Sequence, residues 1–97
     1  MRRVQLIAEY IVLPEHREEA LALIAEISRL SRLEPGNLAY TAYQRVEDPN
    51  SIALIERYEN DEAVDAHRSS AHFRELVLGR LVPLLARRVV RRSEVDD

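Results

Sequence analysis

Glu56 sits where a carboxylate needs a reason to be. It lies in the apolar run 52–58 (IALIERY), at the same parity as Leu54 and Tyr58, and a charge on that face is costly unless it is paired. A buried carboxyl has its proton affinity raised and can serve as a general base. The alternative is a structural pair with one of the chain's many arginines, Arg45 being the example considered. Tyr58 shares the face of Glu56 and could donate a hydrogen bond to a substrate oxygen. The histidines are His16, His67 and His72. His16 stands among glutamates in a first helical turn and is expected to be solvated. His67 and His72 are five apart, not the i, i+4 of a common zinc pair, and no third ligand lies nearby in sequence, so no metal site is expected. Without catalysis, His67 reads as a buried ring hydrogen-bonded to a carbonyl, and His72 as a residue opening the next helix. Tyr40 and Tyr43 read as strand packing residues, and Asn37 as a turn residue.

Other chemistries find no footing. Gly36 and Gly79 are the only glycines, so neither a phosphate-cradling loop nor a dinucleotide fingerprint exists. Six serines occur (28, 31, 51, 69, 70 and 93), none in a nucleophile-elbow context. The absence of cysteine removes disulfides, thiolate metal sites and thiol nucleophiles. A net charge of −3 argues against general nucleic-acid binding, which needs a concentrated basic surface. All fourteen basic residues are arginine, which we read as base-composition bias. Arg87, Arg88, Arg91 and Arg92 form the one basic cluster, and alternation puts Arg87 and Arg91 on one strand face with Val89. The opening residues are too polar for a signal peptide, and no apolar stretch approaches the ~20 residues of a membrane span. A cytoplasmic location is expected.

These residues need a frame, and ninety-seven of them make one domain spanning 1–97. Val4–Val12 reads as a buried strand. Pro14 opens a helix whose apolar face is Ala20, Leu23, Ile24, Ile27 and Leu30, with Glu15, Glu18 and Glu19 first and Arg29 and Arg32 last, as the helix dipole favours. Glu34-Pro35-Gly36-Asn37 stops it. Leu38–Val46 and Ile52–Tyr58 form an antiparallel hairpin around the turn cluster 47–51. Asn60 or Asp61 caps a short helix over 62–68, Ser69-Ser70 breaks and recaps it, and Phe73, Val77, Leu81 and Leu84 form a second helical stripe ended by Pro83. Arg87–Val95 is a last strand. The order β-α-β-β-α-β is the ferredoxin-like α+β arrangement, an antiparallel sheet with both helices on one face. Apolar residues occur at both strand parities (Leu6 and Ile7, Leu54 and Ile55), so the second sheet face also needs cover. Pairing of two sheets in a homodimer is the simplest solution.

Four stretches carry a resemblance: EPGNLAY at 34–40, EDP at 47–49, IERY at 55–58 and AHRSSAHF at 66–73. Together they resemble the antibiotic biosynthesis monooxygenase family of small dimeric α+β barrel proteins, with similar element order from about residue 4 to 92. The resemblance implies oxidation of a phenolic or quinol-type aromatic by molecular oxygen with no cofactor. A pocket base deprotonates the phenol, and the electron-rich phenolate reduces oxygen. By that resemblance Glu56, His67 and Tyr58 are the catalytic candidates, and Asn37, His72 and Phe73 the substrate-binding ones. The haem-degrading relatives carry an asparagine, a histidine ligand and a tryptophan where this chain has Tyr10, Val77 and His67, which speaks against a haem oxygenase. Members that process autoinducer-2 look similar over the same residues, so an isomerase acting on a small phosphorylated dione is the alternative, and a non-catalytic binding domain a third. An inward-pointing Arg45, Arg57 or Arg68 would favour the isomerase; failure of Glu56 and His67 to approach one another would favour binding alone.

Overall fold

Alternation along two central strands sets which residues face the helices. The computed structural model describes residues 2–96. Strand β1 (Arg2–Val12) buries Val4, Leu6, Ala8, Tyr10 and Val12, and strand β3 (Ser51–Tyr58) buries Ile52, Leu54, Glu56 and Tyr58. Strand β2 (Asn37–Gln44) and strand β4 (Leu85–Asp96) flank them, giving the antiparallel order β2-β3-β1-β4. In register, Glu56 lies between Leu6 on β1 and Tyr40 on β2. The carboxyl is therefore set in the middle of the sheet, on its helix-covered face.

A single 3₁₀ turn (Pro14–His16) leads into helix α1 (Arg17–Arg32), which lays Ala20, Leu23, Ile24 and Ile27 on that face. Each fully buried Leu or Ile contributes about 1.5–3 kcal/mol. Leu30 is only half-buried, and Ser28 and Ser31 complete the inner stripe instead. Ser28 spends its hydroxyl on the Ile24 carbonyl at 2.7 Å, the back-bonding that lets a serine sit in a buried turn.

Helix α2 (Asp61–Arg68) starts at Asn60, whose side chain accepts from the Ala63 N–H at 2.9 Å. Ser70 ends and recaps it: its Oγ donates to the His67 carbonyl at 2.6 Å and accepts from the Phe73 N–H at 3.2 Å. The stripe at 73, 77 and 81 lies on a π-helix, Phe73–Leu81, where sequence spacing implied an ordinary helix. Val77 and Leu81, four positions apart, are both buried on it. The Val82 N–H closes its last turn on the Val77 carbonyl. Pro83, with no N–H, lies in the short 3₁₀ turn Val82–Leu84 that follows.

Gly36 decides how closely the α1–β2 turn approaches α2. A Cβ there would lie 2.4 Å from the Cβ of Ala63, and the Gly36 carbonyl accepts from the Glu59 N–H at 3.0 Å. A Gly36→Ala variant is expected to be less stable by about 1–3 kcal/mol, as overpacked interiors are. Urea unfolding checks this, and an unchanged midpoint would refute the close approach.

On the other sheet face Ile7, Ile11, Ala53 and Val89 are half-buried around a shallow groove. Arg87 and Arg91 stand on that side in register with Ile11 and Ile7, and Arg91 pairs with Glu9. Tyr43 is 54% exposed and packs nothing of consequence within the chain, contrary to its reading as a packing residue. The hairpin extends beyond the helix layer there.

Candidate functional site

The turn held against α2 by Gly36 carries Glu34, and α2 carries His67 on its buried face. His67 Nδ1 meets Glu34 Oε2 at 2.8 Å, and His72 Nε2 meets the same oxygen at 2.6 Å. A carboxylate accepting from Nδ1–H leaves Nε2 as the ring's lone pair, the arrangement that orients a histidine base. That Nε2 lies 3.8 Å from Glu56 Oε1. Glu56 in turn accepts from the Tyr58 hydroxyl at 2.7 Å. A chain therefore runs from His72 through Glu34, His67 and Glu56 to Tyr58.

Burial tunes its members. Burial pushes the Glu56 carboxyl up to about 7, opposed by the Tyr58 hydrogen bond and by Arg68 and Arg88, and assisted by Glu34. Burial also holds the His67 ring below its ordinary range, against the pull of the Glu34 hydrogen bond and charge. The phenols of Tyr40 and Tyr58 are raised by burial first and by Glu56 next, so both stay protonated. At neutral pH the site thus presents an uncharged imidazole beside a carboxyl near its midpoint.

The space beneath the helices is a cavity of about 20 Å³, enough for one water. It is lined by the polar groups of Tyr10, Tyr40, Glu56 and His67 and by the apolar side chains of Leu6, Ala8, Val77 and Val90. Phe73 lies edge-on to His67, with ring centroids 5.2 Å apart, and joins the lining. Arg68 and Arg88 complete it and are themselves exposed.

The expected residues divide accordingly. Glu56, His67 and Phe73 meet at the cavity. Tyr58 does not line it, because its hydroxyl is committed to Glu56; it holds the carboxyl and does not face a substrate. His72 stands behind His67, bonded to Glu34. Asn37 starts β2 with its amide donating to the Ala39 carbonyl at 3.1 Å, clear of the cavity lining, because the turn at 34–37 faces α2 and not the sheet centre. Neither structural alternative holds: Glu56 is not paired with Arg45, which meets Glu47 on the surface, and His67 bonds a carboxylate, not a carbonyl. His16 is half-buried, not solvated. Sequence spacing marks Glu34 only as a helix stop, since nothing in it connects the carboxyl with a histidine 33 positions on. No spacing signal points to Tyr10, Tyr40 or Arg88, which the fold brings to the cavity from three different strands.

Glu34, His67 and His72 bring one donor atom each within 4.8 Å of one another, the one such set among the described residues. A divalent cation could use that spacing. As they stand, the two short hydrogen bonds to Glu34 Oε2 occupy the lone pairs and protons concerned.

The fold is a ferredoxin-like sheet with a carboxyl–imidazole pair at a small cavity of mixed polar and apolar lining, and sequence comparison supplies the family. The chain belongs to the antibiotic biosynthesis monooxygenase family, whose profile matches residues 3–77. YcnE of Bacillus subtilis strain 168 is 33% identical over 66 residues, 68% of this chain and 70% of that protein. Rv0793 of Mycobacterium tuberculosis is 33% identical over 70 residues, 72% of this chain and 68% of that protein. Both carry monooxygenase names given provisionally. Among solved structures, an antibiotic biosynthesis monooxygenase superposes with a TM-score of 0.85 at 26% identity over 97% of each chain. PA3566 from Pseudomonas aeruginosa gives 0.90 at 25% identity, covering 100% of this chain and 97% of that one. No helix among the described residues is long and apolar enough to cross a membrane.

Proposed function

We propose that this protein is a cofactor-independent oxygenase acting on a small phenolic or quinol-type aromatic, working as a homodimer in the cytoplasm. The observation that carries this reading is His67, buried and uncharged, with Nδ1 held by Glu34 and Nε2 turned to the cavity beside Glu56. Nε2 takes the phenolic proton, and Glu56, when ionised, stabilises the imidazolium so formed. The phenolate passes electrons to dioxygen; one oxygen atom becomes bonded to ring carbon and the other leaves as water. For a hydroquinone the balance is hydroquinone plus O₂ to hydroxyquinone plus water, so the substrate supplies all the electrons. Tyr40 and Tyr10, protonated and lining the cavity, are placed to donate to the developing oxyanion.

Small-molecule sites usually need about 300 Å³ or more, so a ring is admitted only when the wall opens. The π-helix bearing Phe73 and Val77 is the wall most suited to move, since i→i+5 turns are rare and recur at functional sites. Sheet-to-sheet pairing over Ile7, Ile11, Ala53 and Val89 would bury the groove on the opposite face and fits the dimer reading.

The isomerase alternative draws on one observation, Arg68 in the cavity lining. Arg45 and Arg57 do not join it; Arg57 bonds Gln5 at 3.0 Å. The approach of Glu56 to His67 weighs against binding alone.

Oxygen uptake by the purified, metal-free protein over a panel of hydroquinones, with autoxidation subtracted, tests the oxygenase. Uptake of one O₂ per substrate that requires both protein and substrate is expected. Uptake no greater than background for every hydroquinone would sink the reading.

A further inference from the structure

Two arginines from different elements converge on the cavity, Arg68 at the end of α2 and Arg88 on β4. Arg88 is in register with the inward-facing Tyr10 and reaches its hydroxyl. Its neighbours in the basic cluster are disposed otherwise: Arg87 and Arg91 face the opposite side, and Arg92 pairs with Asp61. Among the described residues Arg2, Arg29, Arg45, Arg91 and Arg92 all meet carboxylates. Of the arginines that meet no carboxylate within 4 Å, Arg17, Arg32, Arg57 and Arg74 bond neutral oxygens, whereas Arg68 and Arg88 line the cavity that holds Glu56.

A guanidinium offers five N–H donors in a planar fork that matches carboxylate, sulfonate or phosphate oxygens. Two of them at a cavity lined by Leu6, Ala8, Phe73 and Val77, with His67 as a base beside them, match a ligand with an aromatic reacting end and an anionic group at the other. We infer that the site takes anionic substrates, with Arg68 and Arg88 forming a subsite for the anionic group while the reacting end lies against His67. For an aromatic substrate this rests on the oxygenase reading, and it narrows the substrate to phenols or quinols bearing a carboxylate or a similar group.

The test is anaerobic isothermal titration of 2,5-dihydroxybenzoate and its neutral amide, 2,5-dihydroxybenzamide, without turnover. On the wild-type protein the acid is expected to bind about tenfold tighter than the amide, the scale of one charge-assisted contact. That ratio is expected to fall below about threefold in Arg68→Gln and in Arg88→Gln, and to persist in Arg87→Gln, whose arginine faces the other side of the sheet. Equal affinity of acid and amide for the wild type, or a ratio unchanged in both cavity variants, would overturn the inference. Oxygen uptake with neutral hydroquinones alongside either of those results would leave the oxygenase standing without the anion subsite. Inorganic phosphate, titrated in parallel, separates the converse case. If neither dihydroxybenzene binds but phosphate does, and loses affinity in Arg68→Gln and Arg88→Gln, the subsite stands and the aromatic substrate falls. Absence of binding by all three probes overturns the inference.

Discussion

His67→Gln is expected to lower the rate of substrate-dependent oxygen uptake by about 10²–10⁴-fold, the usual contribution of a positioned general base. Glutamine nearly fills the buried slot, so near-UV circular dichroism of the variant should match the wild type and separate lost chemistry from lost fold. Glu34→Gln acts through His67 and is expected to cost less, about tenfold. Its distinguishing mark is in the pH profile. Glu34 raises the proton affinity of His67 against the effect of burial, so removing its charge lets the His67 ring titrate lower still. The acid limb of the rate profile then moves to lower pH. A purely structural Glu34 would reduce the rate without moving that limb. Turnover by His67→Gln within about twofold of wild type would remove His67 from the mechanism. The groups facing this ring are Glu34 from the turn, His72 from the following segment, Glu56 and Tyr58 from β3, Tyr40 from β2, and Arg68 beside it on α2.

Glu56→Gln is expected to abolish most of a stability loss that the wild-type protein suffers as pH rises from about 4.5 to about 7. The carboxyl titrates at about 7 in the fold, raised from 4.5 by burial. Between those values the folded protein keeps a proton that the unfolded chain has released, so stability falls as pH rises and levels off above about 7. At 1.36 kcal/mol per pKa unit the loss amounts to roughly 3 kcal/mol. His67 works in the opposite sense. Its folded-state affinity is depressed, so the unfolded chain binds the proton first and stability is lost as pH falls below about 6.5. Urea midpoints for both proteins at pH 5 and pH 8 decide the matter. Glu56→Gln should be the more stable protein at pH 8 and show little change between the two pH values apart from the His67 contribution. Parallel midpoints for wild type and variant would mean that Glu56 ionises freely in the fold. The same variant should lose any rise in oxygen uptake near pH 7, because the carboxylate that stabilises the protonated ring is gone.

Local order was legible in the sequence because backbone geometry is periodic. Alternation placed Glu56 and Tyr58 with Leu54 on the buried face of β3, and the spacing of Ala20, Leu23, Ile24 and Ile27 marked the inner face of α1. Asn60 and Ser70 were legible as caps because a short polar side chain satisfies the free N–H groups at a helix start wherever it occurs. The π-helix at 73–81 was not legible: an apolar residue every fourth position suits an ordinary helix nearly as well, and the choice depends on what the segment packs against. The family resemblance added His67 and Phe73, and the structure seats both at the cavity, while Asn37 and His72 stand outside its lining.

What the residues around His67 do was decided only in three dimensions. Periodicity says which face of an element is buried and is silent on what lies across from it. Glu34 reaches His67 because a side-chain-free Gly36 lets the turn lie against Ala63, a contact between segments 27 residues apart. The same packing commits the Tyr58 hydroxyl to Glu56 and sets Arg68 and Arg88, from two different elements, at one cavity. Local pattern marked where strands and helices lie, which of their faces are buried, and a carboxyl on an apolar strand face. The partners of that carboxyl follow from packing, because hydrogen bonds and proton affinities act over a few ångströms and folding brings distant positions within that range.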